Sequence, residues 1–303
     1  MSEAPAEQLP RWLERSNAVQ PFVASICSVG NIDATLARFY NEIGDMPMLE
    51  RKTYSDHACS ITLECDPAAA WALMRKLRNR LPQTDVYLQP RSTPRIRLLI
   101  CDMDMTMVAA ETLDEVAATL GMGDAIATIT ARAMNGEIGF DAALRQRIAM
   151  LAGQPEQVFH DVVNRLEYCP GAPELIRTAK EAGLHCVLIS GGFAQVAEPI
   201  AQKLGFDQVH CNRLEVIDGR LTGRVRLPIV NADYKLAVLQ QVARQQGHGL
   251  AGCCAIGDGA NDLPMLRAAG LGIAYRGKPI LQAATPCRID ETDLQSAACF
   301  MRL

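Results

Sequence analysis

No CxxC pair occurs anywhere in this 303-residue chain: its eleven cysteines are scattered, and the one doublet, Cys253-Cys254, sits inside an apolar run. That spacing excludes a disulfide frame or a cysteine zinc site and reads as buried thiols in a reducing cytoplasm. The five histidines are equally scattered, so a histidine metal site has no support. No apolar run approaches the roughly 20 residues of a membrane span, and no membrane partner is expected. The opening MSEAPAEQLPRW is polar and proline-containing, unlike the basic-then-apolar pattern of a secretory signal. Excess positive charge is missing too. With a net charge of -4, a nucleic-acid partner held by a basic face is not expected. There is no repeat of fixed period and no low-complexity tract.

What is present is a composition of 49% hydrophobic and 21% charged residues, which implies a cored, globular chain. The length suits about two domains of ordinary size. A stretch with two prolines, LQPRSTPRIR (Leu88 to Arg97), reads as the linker, so residues 1–90 and 95–303 are the expected domains. Before it, PFVASICS, MLERKTYS, HACSITLEC and TDVYLQ read as strands. NIDATLARFYNEI (closed by Gly44) and PAAAWALMRKLRNRL read as helices. The order βαββαβ predicts a small ferredoxin-like α+β domain.

After the linker, apolar strands alternate with helices, which predicts an α/β core whose parallel sheet is covered on both faces. The strands are RLLIC, HCVLIS, QVHC, GCCAIG and GLGIAY, with a hairpin at Asp218-Gly219 between RLEVI and RLTGRV. Between about residues 107 and 168 four short amphipathic helices interrupt the alternation, and they are expected to form a cap over one end of the sheet. Thr112 with Glu115 has the spacing of a capping box for the first of them.

Ligands of open α/β sheets bind at the carboxyl ends of the strands. Asp102 and Asp104 follow the first strand of the core, Ser190-Gly191-Gly192 the second, and Asp258, Gly259, Asn261 and Asp262 follow GCCAIG. Two carboxylates one residue apart repel unless solvated or bridged by a cation. Three aspartates offer the hard oxygens that suit Mg²⁺, and Ser-Gly-Gly leading into a helix offers a hydroxyl and free N–H groups for an anion. Lys235, early in the helix after PIVNADY, opposes the helix dipole, so an anionic partner nearby would explain it. Taken singly each has a plain alternative: a solvated DxD loop, an ordinary turn, a surface lysine. The Asp258 stretch also lacks EF-hand spacing. Their succession at three strand ends is what points to one site.

DMDMT, SGG, Lys235 and GDGANDLPM resemble the four motifs of the haloacid dehalogenase superfamily of phosphotransferases. Within it, the resemblance from about Arg97 to the C-terminus, cap spacing included, is to the phosphoserine phosphatases. The βαββαβ part is similar to the ACT-like domain of some bacterial members. The resemblance implies a Rossmann-like core and Mg²⁺-dependent hydrolysis of O-phosphoserine through an aspartyl-phosphate, in serine biosynthesis. It implies Asp102 as nucleophile and Asp104 as general acid and base. Mg²⁺ would sit on Asp102, the Asp104 carbonyl and Asp258, with Asp262 behind. Ser190, Gly191, Lys235 and Asn261 would hold the phosphate. It further implies Glu111, Arg147, Met134 and Phe140 as substrate contacts in the cap. Arg147 is also the misfit on the stripe Phe140, Leu144, Arg147, Leu151, as suits capture of a carboxylate. Position 105 is Met where these phosphatases carry Ser or Gly. The chemistry residues alone leave open a phosphotransferase, for instance to homoserine, or a phosphatase for another small ester. An amino-acid-binding regulator is a third reading. The N-terminal unit is the candidate surface for a homodimer.

Overall fold

The computed structural model describes residues 9–14, 18–134 and 137–303. The N-terminal strands and helices follow the predicted order: β1 (Gln20–Ser28), α1 (Ile32–Ile43), β2 (Met48–Ser55), β3 (Ala58–Cys65), α2 (Pro67–Arg80) and β4 (Thr84–Pro90). Asn31 and Asp66 cap the two helices, their side-chain oxygens accepting from the N–H groups of Asp33 and Ala69. The strands form a four-stranded antiparallel sheet in the order β2-β3-β1-β4. Leu88, Gln89 and Pro90 belong to β4 and are buried, so the connection to the second sheet is shorter than the proline content suggests. Proline is tolerated at the end of this edge strand, where no ladder N–H is needed.

The second sheet starts with β5 (Leu98–Cys101). The chain then leaves it for four helices, α3 (Thr112–Thr119), α4 (Gly123–Met134), α5 (Phe140–Met150) and α6 (Gln157–Val163), the inserted cap. It returns through α7 (Ala172–Glu181), β6 (His185–Phe193), α8 (Ala194–Leu204), the hairpin β7 (Gln208–Ile217) and β8 (Arg220–Arg226), and α9 (Ala232–Gln245). It ends with β9 (Cys253–Gly257), α10 (Leu263–Ala268), β10 (Leu271–Tyr275), α11 (Pro279–Ala284), β11 (Cys287–Ile289) and α12 (Ser296–Met301). The seven strands are ordered β11-β10-β9-β5-β6-β7-β8, parallel except for the β7–β8 pair.

Three details depart from the sequence reading. QVHC and RLEVI are one strand, because β7 pairs first with β6 and then, from Arg213, with β8. The short α11 and β11 carry too little periodicity to be read. Thr112 does not cap α3: Glu111 holds that position, without a side-chain bond to the helix. The hairpin is as expected, with Asp218 and Gly219 at φ 50° and 72° as a type I′ turn requires.

Candidate active site

β5 is flanked by β9 on one side and β6 on the other, so the residues following these three strands converge by topology. Asp102 continues β5, its N–H donating to the Ile256 carbonyl of β9. Its Oδ1 accepts from the Met103 N–H at 2.8 Å and from the Lys235 ammonium at 2.7 Å. No protein donor reaches Oδ2 among the described residues. Lys235 is fully buried and also lies 2.7 Å from Asp262 Oδ1. Burial works against the Lys235 charge, and the Asp102 and Asp262 carboxylates overcome it, holding the ammonium above its usual range. The anionic partner that the helix position of Lys235 called for is thus a pair of aspartates, and the lysine is the internal counter-ion of the site.

Asp262 is set by its neighbours as much as by its ion pair. Its Oδ2 accepts from the Gly259 N–H at 3.0 Å, and its carboxylate lies against Gly257, where a Cβ would overlap it. Asp102, Asp258 and Asp262 each offer an oxygen within 4.8 Å of the others. Burial first, then the Asp262 charge, pushes Asp102 upward and Asp258 to about 6. Burial, then Glu111, pushes Asp104 to about 7. Asp102 and Asp262 share the one ammonium of Lys235 and Asp258 adjoins them, so the three carboxylates hold more negative charge than that ammonium neutralises. Such a set fits a hard divalent cation: oxygen donors only, with room for water in the adjoining cavity.

Ser190 is buried; its Oγ accepts from the Gly192 N–H at 2.8 Å, which leaves the hydroxyl proton free to donate. Asn212, buried and absent from the sequence reading, holds this turn by donating to the Gly191 carbonyl at 2.7 Å while accepting from the Val230 N–H at 2.8 Å. Gly192 is where Asp104 needs space: a Cβ there would stand 3.4 Å from its Oδ2.

Asp102, Asp104, Gly191, Asp258 and Asn261 face a cavity of about 100 Å³ that the cap closes with Glu111, Leu113, Phe140, Leu144 and Arg147. Burial lowers the Arg147 guanidinium, and its Nε has no partner among the described residues. Phe140 packs over Gly191. Lys278, not singled out from sequence, stands at the rim with Nζ 3.9 Å from Glu111 Oε1, while its N–H donates to the Asp258 carbonyl. Across the seam, Asn231 caps α9 through Tyr234 and donates to Asp141 of α5. Ser190 and Lys235 do not themselves line this cavity; Lys235 touches Asp102, which does. The Met134 side chain falls outside the described residues. Met105 takes a left-handed φ of 55° and turns its side chain outward, 41% exposed, away from the cavity. Glycine would occupy that conformation without strain.

Fold and site together define a capped α/β protein whose acidic centre offers hard oxygen donors of the kind a divalent cation takes. The chain belongs to the haloacid dehalogenase-like hydrolase family, whose profile matches residues 99–267. It is 39% identical over 240 residues to a phosphoserine phosphatase of Archaeoglobus fulgidus, covering 78% of this chain and 70% of that one. To the phosphoserine phosphatase of Streptococcus thermophilus it is 44% identical over 197 residues, covering 65% of this chain and 92% of the relative. Among solved structures, a HAD-family hydrolase from Salmonella enterica serovar Typhi superposes with a TM-score of 0.84 at 28% identity, over 93% of this chain and 98% of that one.

Proposed function

We propose that this chain is a Mg²⁺-dependent phosphoserine phosphatase, producing serine and phosphate from O-phospho-L-serine. The observation that carries the reading is one cavity in which Asp102 and Asp258 of the core meet Arg147 and Glu111 of the cap. The first pair suits phosphoryl transfer, the second a carboxylate and an ammonium. The similarity to phosphoserine phosphatases supports the choice among small phosphate esters.

Asp102, Asp258 and the Asp104 carbonyl would hold Mg²⁺, with Asp262 behind them. When bound, the ion supplies positive charge against the equatorial phosphoryl oxygens. The Lys235 ammonium, the Ser190 hydroxyl, the Gly191 N–H and Asn261 hold the phosphoryl group in line with Asp102. Asp102 Oδ2 forms a bond to phosphorus as the bond to the serine oxygen breaks, and the Asp104 proton passes to that oxygen. Water then attacks the aspartyl-phosphate, giving its proton to Asp104, and Asp102 is released. Arg147 binds the substrate carboxylate, Glu111 its ammonium, and Phe140 forms the apolar wall. The cap excludes water during transfer and must open for release.

Residues 1–90 form an ACT-like unit and residues 95–303 the catalytic unit with its cap at about 107–168. The N-terminal unit is the part proposed for a homodimer, and a cytoplasmic location agrees with free cysteines throughout. No helix among the described residues is long and apolar enough to cross a membrane.

Phosphate release from L-phosphoserine, phosphothreonine and p-nitrophenyl phosphate, with Mg²⁺ and with chelator, tests the reading. Metal-dependent preference for phosphoserine is expected. Metal-dependent release spread evenly over all esters would remove Glu111 and Arg147 as selectors, and no release from any ester would overturn the reading.

A further inference from the structure

The residue spacing that suggests a capping box puts Thr112 to another use. Thr112 is the first residue of α3, one position inside the helix, and is 1% exposed. Its hydroxyl donates to Asp104 Oδ2 at 3.3 Å. The other oxygen of the same carboxylate, Oδ1, is buried without a hydrogen-bond partner. Gly192 also lies close to Oδ2, which a Cβ there would approach to 3.4 Å, so the same carboxylate oxygen meets both a glycine of the core and a hydroxyl of the cap.

The two residues lie on opposite sides of the seam. Asp104 stands in the turn after β5, which is closed by the Met107 and Val108 N–H groups donating to the Met103 carbonyl. Ala109 donates to Glu167, where the chain returns from the cap, and the cap proper begins at Thr112. Rotation of the Asp104 carboxylate is therefore limited by a side chain that belongs to the cap.

We propose that Thr112 is a positioning residue for leaving-group protonation: its hydroxyl occupies Asp104 Oδ2 and leaves Oδ1 as the oxygen that gives its proton to the departing serine oxygen. The inference rests on the reading of Asp104 as general acid. In the transfer step the Asp102–phosphorus bond forms, the phosphorus–serine oxygen bond breaks, and the Oδ1 proton goes to the serine oxygen; Thr112 keeps its own proton. A threonine that merely filled space would affect every substrate alike. One that aims the acid matters only where the leaving group needs a proton.

The test compares Thr112→Val, Thr112→Ser and Asp104→Asn with the wild-type chain on L-phosphoserine and on p-nitrophenyl phosphate. A serine alkoxide is a poor leaving group and needs protonation; p-nitrophenolate leaves without it. kcat/KM is the readout, because it ends at leaving-group departure and does not include hydrolysis of the aspartyl-phosphate. Thr112→Val is expected to lose about 10²-fold on phosphoserine and to stay within about threefold on the aryl ester, the range of a misaligned general acid. Thr112→Ser, which keeps the hydroxyl, is expected to restore phosphoserine turnover. If Asp104→Asn is selective for phosphoserine but Thr112→Val lowers both esters equally, or neither, the positioning role is overturned while the acid stands. If Asp104→Asn falls equally on both esters, the general-acid reading fails and the positioning role fails with it. A melting temperature for each variant separates misfolding from misalignment: a Thr112→Val chain that melts early and loses both activities, with Thr112→Ser unrescued, also overturns the role.

Discussion

Asp102 and Arg147 carry the sharpest residue-scale tests, because the proposed reading assigns each to a different part of the substrate. Asp102→Asn removes the proposed nucleophile while keeping the shape, and phosphate release is expected to fall by about 10⁴-fold or more, as for other nucleophile losses. Near-normal release would remove Asp102 from that role. Arg147→Ala leaves the substrate carboxylate unpaired. kcat/KM for phosphoserine should drop by about 2 kcal/mol, at the low end for a buried charge pair because the guanidinium is partly exposed. An ester without a carboxylate should lose far less, and equal losses would make Arg147 structural. The aspartates were legible because hard oxygen donors at strand ends have few other uses. Lys235 was legible only as a lysine needing an anion. That Asp102 and Asp262 supply it, across the sheet from α9, depends on contacts remote in sequence.

At the element scale, β4 and the loop after β11 are joined through one side chain. Asp85 accepts from the N–H groups of Asp290, Glu291 and Thr292 and from the Thr292 hydroxyl. Asp85 is itself buried, so removing its carboxylate strands several donors at once. Asp85→Ala should cost about 3 kcal/mol of stability, the scale of losing charge-assisted hydrogen bonds inside a protein. Urea unfolding measures it, and a shift below about 1 kcal/mol would show that water replaces the carboxylate. Periodicity predicted the long helices and the apolar strands of both sheets. It could not show where β7 changes partner, or that a three-residue strand closes the sheet edge, since neither changes the local pattern.

Over the whole molecule, the two sheets share a hydrophobic core: α12 lies between them, and its Cys299, Phe300 and Met301 pack with residues of β1, β3 and β4. Ser25 and Gln89 of the first sheet donate to the carbonyls of Cys299 and Phe300. A chain beginning at Arg95 would expose that apolar face. It is expected to melt at lower temperature and to bind a hydrophobic dye, whatever its activity; an unchanged melting temperature would show that the N-terminal unit is energetically separate. Metal acts at the same scale. Mg²⁺ at roughly 100 times its dissociation constant should stabilise the fold by about 2.7 kcal/mol through binding alone. Calorimetry in Mg²⁺ and in chelator reads this independently of turnover.

By itself the sequence determined the order of the longer elements, the insertion of a cap after the first core strand, and the chemical character of each strand end. Those follow from local pattern: apolar period, turn residues, and the few side chains able to hold a cation or an anion. The tertiary structure alone decided which of those groups meet. Strand order brings Asp102, Ser190 and Asp258 together, burial turns Lys235 into the counter-ion of two aspartates, and the seating of the cap gives the Thr112 hydroxyl to Asp104 instead of to its own helix. The physical reason is the same in each case. Charge and hydrogen-bond partners are set by distance in space and by exclusion of water, and neither is written in the spacing of residues along the chain.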